Sequence, residues 1–264
     1  MTDEALITRV LAEQDAYRKE PPSALPRLLR GVAGPVHRLT HRLIPAEAVE
    51  AAIRGADWAA SKTIRQAAIS HDFTDLSACE EAAAEVRRWA LGYAVTGGGA
   101  AGAFGIFGLA LDIPATVGLA LRTARLTGLC YGFGDASEAE RVYILDILML
   151  AGANSMEERT QALARLSSER STLPRESFDK IVRLTGHTAA SRAAVRRVAT
   201  VLGLNLSARK AAQIAPFVGA AVGAGVNASF QNDVARAARH AFLERWLAAN
   251  EGIVEARARQ VDTA

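Results

Sequence analysis

Apolar positions along this chain recur three and four apart, the spacing of helix faces. Valine, isoleucine and threonine stand singly and never alternate over the length of a strand. The pattern predicts an all-α protein: a single multi-helix bundle. Residues 3–20 read as a charged helix ended by the two prolines at 21 and 22. Residues 24–42 set Arg27, Arg30, Arg38 and Arg42 among leucines, either as a solvated helix face or as a short basic amphipathic element at a membrane surface. Residues 46–70 carry Ile53, Ala56, Ala60 and Ile64 near one helical face.

Three capping boxes mark further helix starts: Ser77 with Glu80, Ser137 with Glu140, and Ser155 with Glu158. The Ser77 helix is expected to run to about Tyr93 and meet Gly97–Gly99, followed by a helix from about Ala100 to Leu111. Pro114 is expected in the first turn of the next helix, with Asp112 as its N-cap, and the run Tyr131–Gly134 as its stop. Residues 137–152, 155–167 and 188–202 give further helices, and Pro174 starts another. After Pro216 an apolar, glycine-bearing helix grades into an amphipathic one over 227–249.

Glycine changes this picture. Eleven of the 21 glycines fall between Gly92 and Gly134, and Ala94 to Leu111 carries no charge. A second run, Ala211 to Val226, is similar: small residues, one proline and no charge. Each glycine in a helix costs about 1 kcal/mol relative to alanine, so such a concentration implies closely approaching backbones or a membrane-like setting. Small residues at four-residue spacing, as at Gly98 and Gly102 or Gly219 and Gly223, serve either. Eighteen uncharged residues lie at the short edge of a membrane span, and Asp112 at their boundary is expensive in lipid. The segment reads as a glycine-rich apolar helical hairpin at the centre of the bundle, buried in the core or dipping into one leaflet.

Charge adds a segregation. Lys180 to Asn232 holds seven basic residues and no acid, whereas Asp135 to Asp179 holds nine acids and five arginines. Arg183, Arg192, Arg196, Arg197, Arg209 and Lys210 are the candidate membrane-surface residues, suited to anionic headgroups. The alternative is complementarity inside the fold, with the basic block packed near the acidic one. Two well-separated cysteines indicate a reducing compartment without a disulfide framework, and the acidic start lacks the features of a secretory signal.

Candidate chemistry is sparse. Gly97, Gly99 and Gly102 fit GxGxxG, but without a preceding strand or a following acid at dinucleotide spacing. His37 and His41 lack the glutamate of a zinc helix. Nothing assembles a nucleophile, base and oxyanion site, so the expectation is a non-enzymatic protein with no cofactor, no metal and no nucleic-acid partner. Asp112, Arg122, Tyr131 and Asn227 are the polar groups that would line a ligand pocket between 94–130 and 211–249.

AspIlePro at 112–114, Leu121-Arg122, the run from Tyr131 to Gly134, and IleAlaProPheValGlyAlaAlaValGlyAlaGlyValAsn at 214–227, followed by Phe230, Ala238 and Phe242, resemble the signature of the bacterial EcsC family. The resemblance covers roughly residues 45–249, leaving 1–44 as an N-terminal helical extension and 250–264 as a charged tail. It implies a family-wide domain and a membrane context, since the family is named for a protein encoded beside an ABC transporter. It supplies no catalytic residues. The expected function is a cytoplasmic protein peripheral to the inner face of the membrane or accessory to a membrane transport complex. The alternative is a soluble helical protein that binds a lipid or other small apolar ligand.

Overall fold

A computed structural model describes residues 3–23, 50, 51, 53–55, 69–103, 105–134, 137–170, 173, 193–201, 205, 219–252 and 254; at 97–114 and 219–223 it describes the backbone alone. Helices dominate: α1 (Asp3–Lys19), α2 (Leu76–Ala103), α3 (Gly105–Cys130), α4 (Glu138–Gly152), α5 (Met156–Arg170) and α6 (Gly219–Ala249). Residues 193–201 are helical as well, and among the described residues there is no strand. The all-α expectation holds. Those for 24–42 and for the Pro174 helix lie outside the described residues.

The long helix α6 is the axis of the bundle and packs against α2, α3 and α4, while α2 pairs with α3 and α4 with α5. Phe230, Phe242, Trp246, Tyr131 and Tyr143 are all but fully buried around it. Burying such an aromatic side chain contributes about 1.5–3 kcal/mol. Phe242 stacks on Phe133 at 6.2 Å and meets the Tyr143 ring edge-on at 5.7 Å.

Local signals explain most helix ends. Ser137 accepts a hydrogen bond from Glu140 N, as a capping serine should. Ser155 accepts from Glu158 N at 3.2 Å, and the Glu158 carboxylate accepts in return from Asn154 N at 2.8 Å. The end of α3 is a Schellman motif. Phe133 N donates to Gly128 O at 2.8 Å, Gly132 N donates to Leu129 O at 3.0 Å, and Gly132 adopts the left-handed φ of 80° that the motif needs.

Three expectations are corrected. The α2 cap is Asp75, whose carboxylate accepts from Ser77 N at 2.9 Å and Ala78 N at 3.3 Å. Ser77 is therefore inside the helix, and Glu80 is directed elsewhere. Second, α2 does not stop at Gly97–Gly99 but runs through them to Ala103. Each of these glycines costs the helix about 1 kcal/mol of propensity relative to alanine, and the helix continues through them nonetheless. Third, α3 is continuous from Gly105 to Cys130, so Asp112 is not an N-cap and Pro114 lies inside the helix. Proline there forfeits one bond to the carbonyl of residue 110, and the turn that follows is anchored by Gln231, which donates to Thr116 O at 2.9 Å. The helical backbone at 97–103 also removes the dinucleotide reading of the GxGxxG match, which needs a turn.

Glycine acts through close approach at one well-defined place. A Cβ on Gly128 would lie 2.7 Å from Phe242 Cζ and 2.9 Å from Phe133 O, whereas one on Gly92 meets nothing within 4 Å. Gly128→Ala should therefore cost about 1–3 kcal/mol, because α3 must retreat from α6. Gly92→Ala should stabilise by up to about 1 kcal/mol. Urea unfolding of the two variants checks the opposite signs.

Candidate functional site

Register places both glycine-rich segments at one end of the bundle. Helices α2 and α3 are antiparallel, because Tyr131 Oη donates to Glu80 and His71 Nε2 meets Cys130 O at 2.8 Å. Helix α6 runs antiparallel to α2, since Arg87 donates to Asn232 at 2.6 Å and Arg239 to Glu80 at 2.6 Å. It runs parallel to α3, since Gln231 donates to Thr116 O at 2.9 Å and Gly128 abuts Phe242. Following these pairings along each helix brings Ala103, Gly105 and Gly219 to the same end. The three helix ends that form this tip carry no charge over 89–103, 105–121 and 219–232 except Asp112.

Below the tip, α2 exposes large apolar side chains. Trp89 is 60% exposed, Tyr93 55% and Val95 49%. Trp89 and Tyr93, one turn apart along the helix, hold their rings 5.0 Å from each other. Arg87 and Arg122 stand near the same level on α2 and α3. From Ala94 to Ala103 the helix rises about 15 Å, half of a hydrocarbon core of about 30 Å. Asp112 falls close to the level of residues 97–99, part of the way back toward this aromatic pair. Among the described residues, no helix is long and apolar enough to cross a membrane.

The four residues expected to line a pocket are not gathered into one described cavity. Arg122 is exposed on α3. Tyr131 is 2% exposed, its hydroxyl given to Glu80, and burial first, then the Glu80 charge, pushes its pKa well up. Asn227 is 4% exposed on α6, one turn from Gln231. For Asp112 the backbone alone is described. Of the basic block, Arg196 is exposed and Arg197 approaches the buried Asp146 at 3.9 Å, an instance of complementarity inside the fold. Arg183, Arg192, Arg209 and Lys210 lie outside the described residues.

One cavity among the described residues was not signalled by the sequence. It is a cleft of about 270 Å³ between the end of α1 and the Pro21–Ser23 segment, the C-terminal end of α4, Arg159 of α5, and Ser229–Arg236 of α6. Tyr17 forms its floor, with the Arg159 guanidinium 4.3 Å and the Arg236 guanidinium 5.4 Å from the ring centre. Arg236 grips Glu20 with two nitrogens, one at 3.0 Å, and this hydrogen bonding holds the Glu20 carboxyl below its usual range. Burial pushes the Tyr17 hydroxyl up. Ser23 and Ser229 face each other at 3.4 Å. Tyr17, Arg159 and Arg236 come from distant parts of the chain, so no local motif unites them. Among the described residues no cluster of three metal-ligating side chains occurs, and Cys79 and Cys130 are both buried free thiols.

Comparison with known proteins places the chain. The model of the EcsC protein family matches residues 17–247, beginning within α1 rather than near residue 45. A curated relative, the uncharacterized protein YdbA of Bacillus subtilis (strain 168), is 32% identical over 141 residues. That stretch is 52% of this chain, and it spans less than half, 46%, of the relative's length. No solved structure matches. With the signature residues at 112–114, 131–134 and 214–227 inside a family match over nearly the whole chain, this protein belongs to the EcsC family.

Proposed function

We propose that this protein is a non-enzymatic, peripheral membrane protein that rests the three-helix tip, apolar but for Asp112, in one leaflet, as a cytoplasmic accessory at the membrane's inner face. One observation carries the reading: the ends of α2, α3 and α6, charged only at Asp112, coincide, and the exposed Trp89 and Tyr93, their rings 5.0 Å apart, stand just below them. Amphipathic aromatic rings favour the headgroup level, above which the chain must be apolar. The depth available, about 15 Å, suits one leaflet and not a span. Helical backbone keeps its own hydrogen bonds satisfied in lipid, and glycine lets the three helices close up where no water drives them together. Arg122, expected as a ligand group, is then a headgroup contact.

Flotation with vesicles of phosphatidylethanolamine and phosphatidylglycerol tests this. The wild type should float with the vesicles and keep part of its binding in 1 M salt, where charge attraction is screened beyond about 3 Å. Trp89→Ser combined with Tyr93→Ser should weaken binding about tenfold or more, the loss of roughly 1.4 kcal/mol of apolar burial. Vesicle binding that is absent in the wild type, or unchanged in the double variant, removes the proposal. A second reading, a soluble protein holding a lipid between 94–130 and 211–249, draws support from the side-by-side register of those segments. It predicts a lipid that co-purifies with the protein and no flotation.

A further inference from the structure

We propose that the cleft beside Tyr17 is a binding site for a compact phosphate ester, with the phosphate seated on Arg159. Arg236, Arg239 and Arg245 each hold a carboxylate, on Glu20, Glu80 and Glu140 respectively. Arg159 is 6% exposed and gives its bonds to Tyr17, donating to its carbonyl O at 2.6 Å and meeting its hydroxyl, while its buried Nε has no acceptor. Among the described residues no carboxylate lies within ion-pairing distance of it. The Glu20 charge reaches Arg159, but that carboxylate is gripped by Arg236, and a buried guanidinium with no carboxylate bonded to it is an expensive arrangement that the Tyr17 ring beneath it offsets only in part. The cavity adjoining this arginine supplies room for the missing anion.

The other walls narrow the ligand. Ser23, Ser229 and Asn232 offer hydroxyl and amide groups to phosphate oxygens, and the planar fork of arginine fits a phosphate through two parallel bonds. Glu20, already paired with Arg236, and Asp233 stand on the same cleft, so its charges balance overall. A bare polyanion is disfavoured there. A phosphate ester that also carries an ammonium group, as phosphoethanolamine does, places its positive end toward the carboxylates. At about 270 Å³ the cleft is just below the roughly 300–1,000 Å³ of pockets for drug-sized ligands, which suits a headgroup-sized molecule. The register sets Ser229 and Asn232 level with Arg87–Ala90 of α2, the depth marked by the exposed Trp89. The ligand can therefore come from a lipid headgroup or from a free phosphate ester. The cleft's chemistry does not depend on the membrane proposal, which bears only on the source.

Phosphorus NMR titrations of the full chain with phosphoethanolamine and with inorganic phosphate test the site without a membrane. The wild type should broaden the phosphoethanolamine signal at millimolar concentration and inorganic phosphate less. Arg159→Gln should weaken binding about tenfold or more, the loss of a charge-assisted bidentate contact. Ser229→Leu, which fills the cleft and leaves Arg159 in place, should weaken it as well, so that a folding defect at Arg159 does not decide the matter. Absence of broadening in the wild type, or equal broadening in both folded variants, overturns the proposal. Flotation then separates the sources. Ser229→Leu should reduce binding to phosphatidylethanolamine vesicles and not to phosphatidylglycerol vesicles if the lipid headgroup is the ligand. Equal reduction on neither, with the soluble titration positive, assigns the site to a free ester.

Discussion

Arg245→Ala is expected to destabilise the protein by about 3–5 kcal/mol, a large share of a typical domain's stability. Arg245 is 6% exposed and donates to both oxygens of Glu140, at 2.9 and 2.8 Å. Its guanidinium also covers the Phe133 ring at 4.1 Å and approaches those of Tyr143 and Phe242 at 5.2 and 5.7 Å. Removing it takes away both of those bonds from the Glu140 carboxylate, itself 2% exposed in the seam between α4 and α6, and leaves it the charge of Arg125. It also strips a cation from three rings that define the core. Replacing both partners, with Glu140→Leu and Arg245→Met, removes the pair together and should recover part of the loss, less what Arg125 forfeits with the Glu140 charge. Urea unfolding of the single and double variants checks this. A double variant no better than Arg245→Ala contradicts the ion-pair account and assigns the loss to packing alone.

The second large effect is acid sensitivity centred on His240. This histidine is 4% exposed, 4.5 Å from the Tyr17 ring of α1. Burial first, and then the charges of Arg18 on α1, Arg159 and Arg170 on α5, and Arg239 on α6, push its pKa down to about 3. Glu244 lies 3.8 Å from its Nε2 but is already engaged by Arg18 and Arg170, so it does little to favour the imidazolium. In the unfolded chain His240 takes up a proton near pH 6.5; in the folded protein it resists until about 3. Its contribution is thus complete above pH 6.5 and falls as the pH drops toward 3.

Glu169 acts with the opposite sign. Burial, then its hydrogen bond with Asp146, pushes its pKa up to about 8, so its contribution is complete below its ordinary pKa and is lost as the pH rises through 8. The two oppose each other in mildly acidic solution, and the informative quantity is a difference. Relative to His240→Asn, the wild type should lose about 1.4 kcal/mol per pH unit below pH 6.5. Parallel stability curves for the two proteins contradict a buried, neutral His240.

The sequence spoke clearly where structure is local. The prolines at 21 and 22 end α1, Ser137 caps α4, and the run Tyr131–Gly134 closes α3 because Gly132 can adopt a left-handed backbone there. It misled where tertiary packing overrides local preference. Gly97–Gly99 and Pro114 read as breaks, yet both lie within continuous helices. The residues that gather around α6 could not be read off at all. Glu13 and Glu80 meet at Arg239, and Glu20 meets Arg236, across separations of more than a hundred residues that no spacing rule encodes. The cleft is of the same kind, assembled from α1, α4, α5 and α6. The glycine-rich segments stood out in the sequence; that they form one tip follows from helix register.

The most direct measurement of the membrane proposal is the depth of Trp89. Phosphatidylethanolamine–phosphatidylglycerol vesicles with bromine on the upper acyl carbons quench an indole that touches them. In a Trp58→Phe background, which leaves Trp89 and Trp246, tryptophan fluorescence should fall on these vesicles relative to unbrominated ones, and adding Trp89→Phe should abolish most of the difference, because Trp246 is buried and donates to Phe73 O at 2.6 Å within the protein. Equal emission on brominated and plain vesicles, with the protein shown to be bound, would contradict a tip that enters the leaflet.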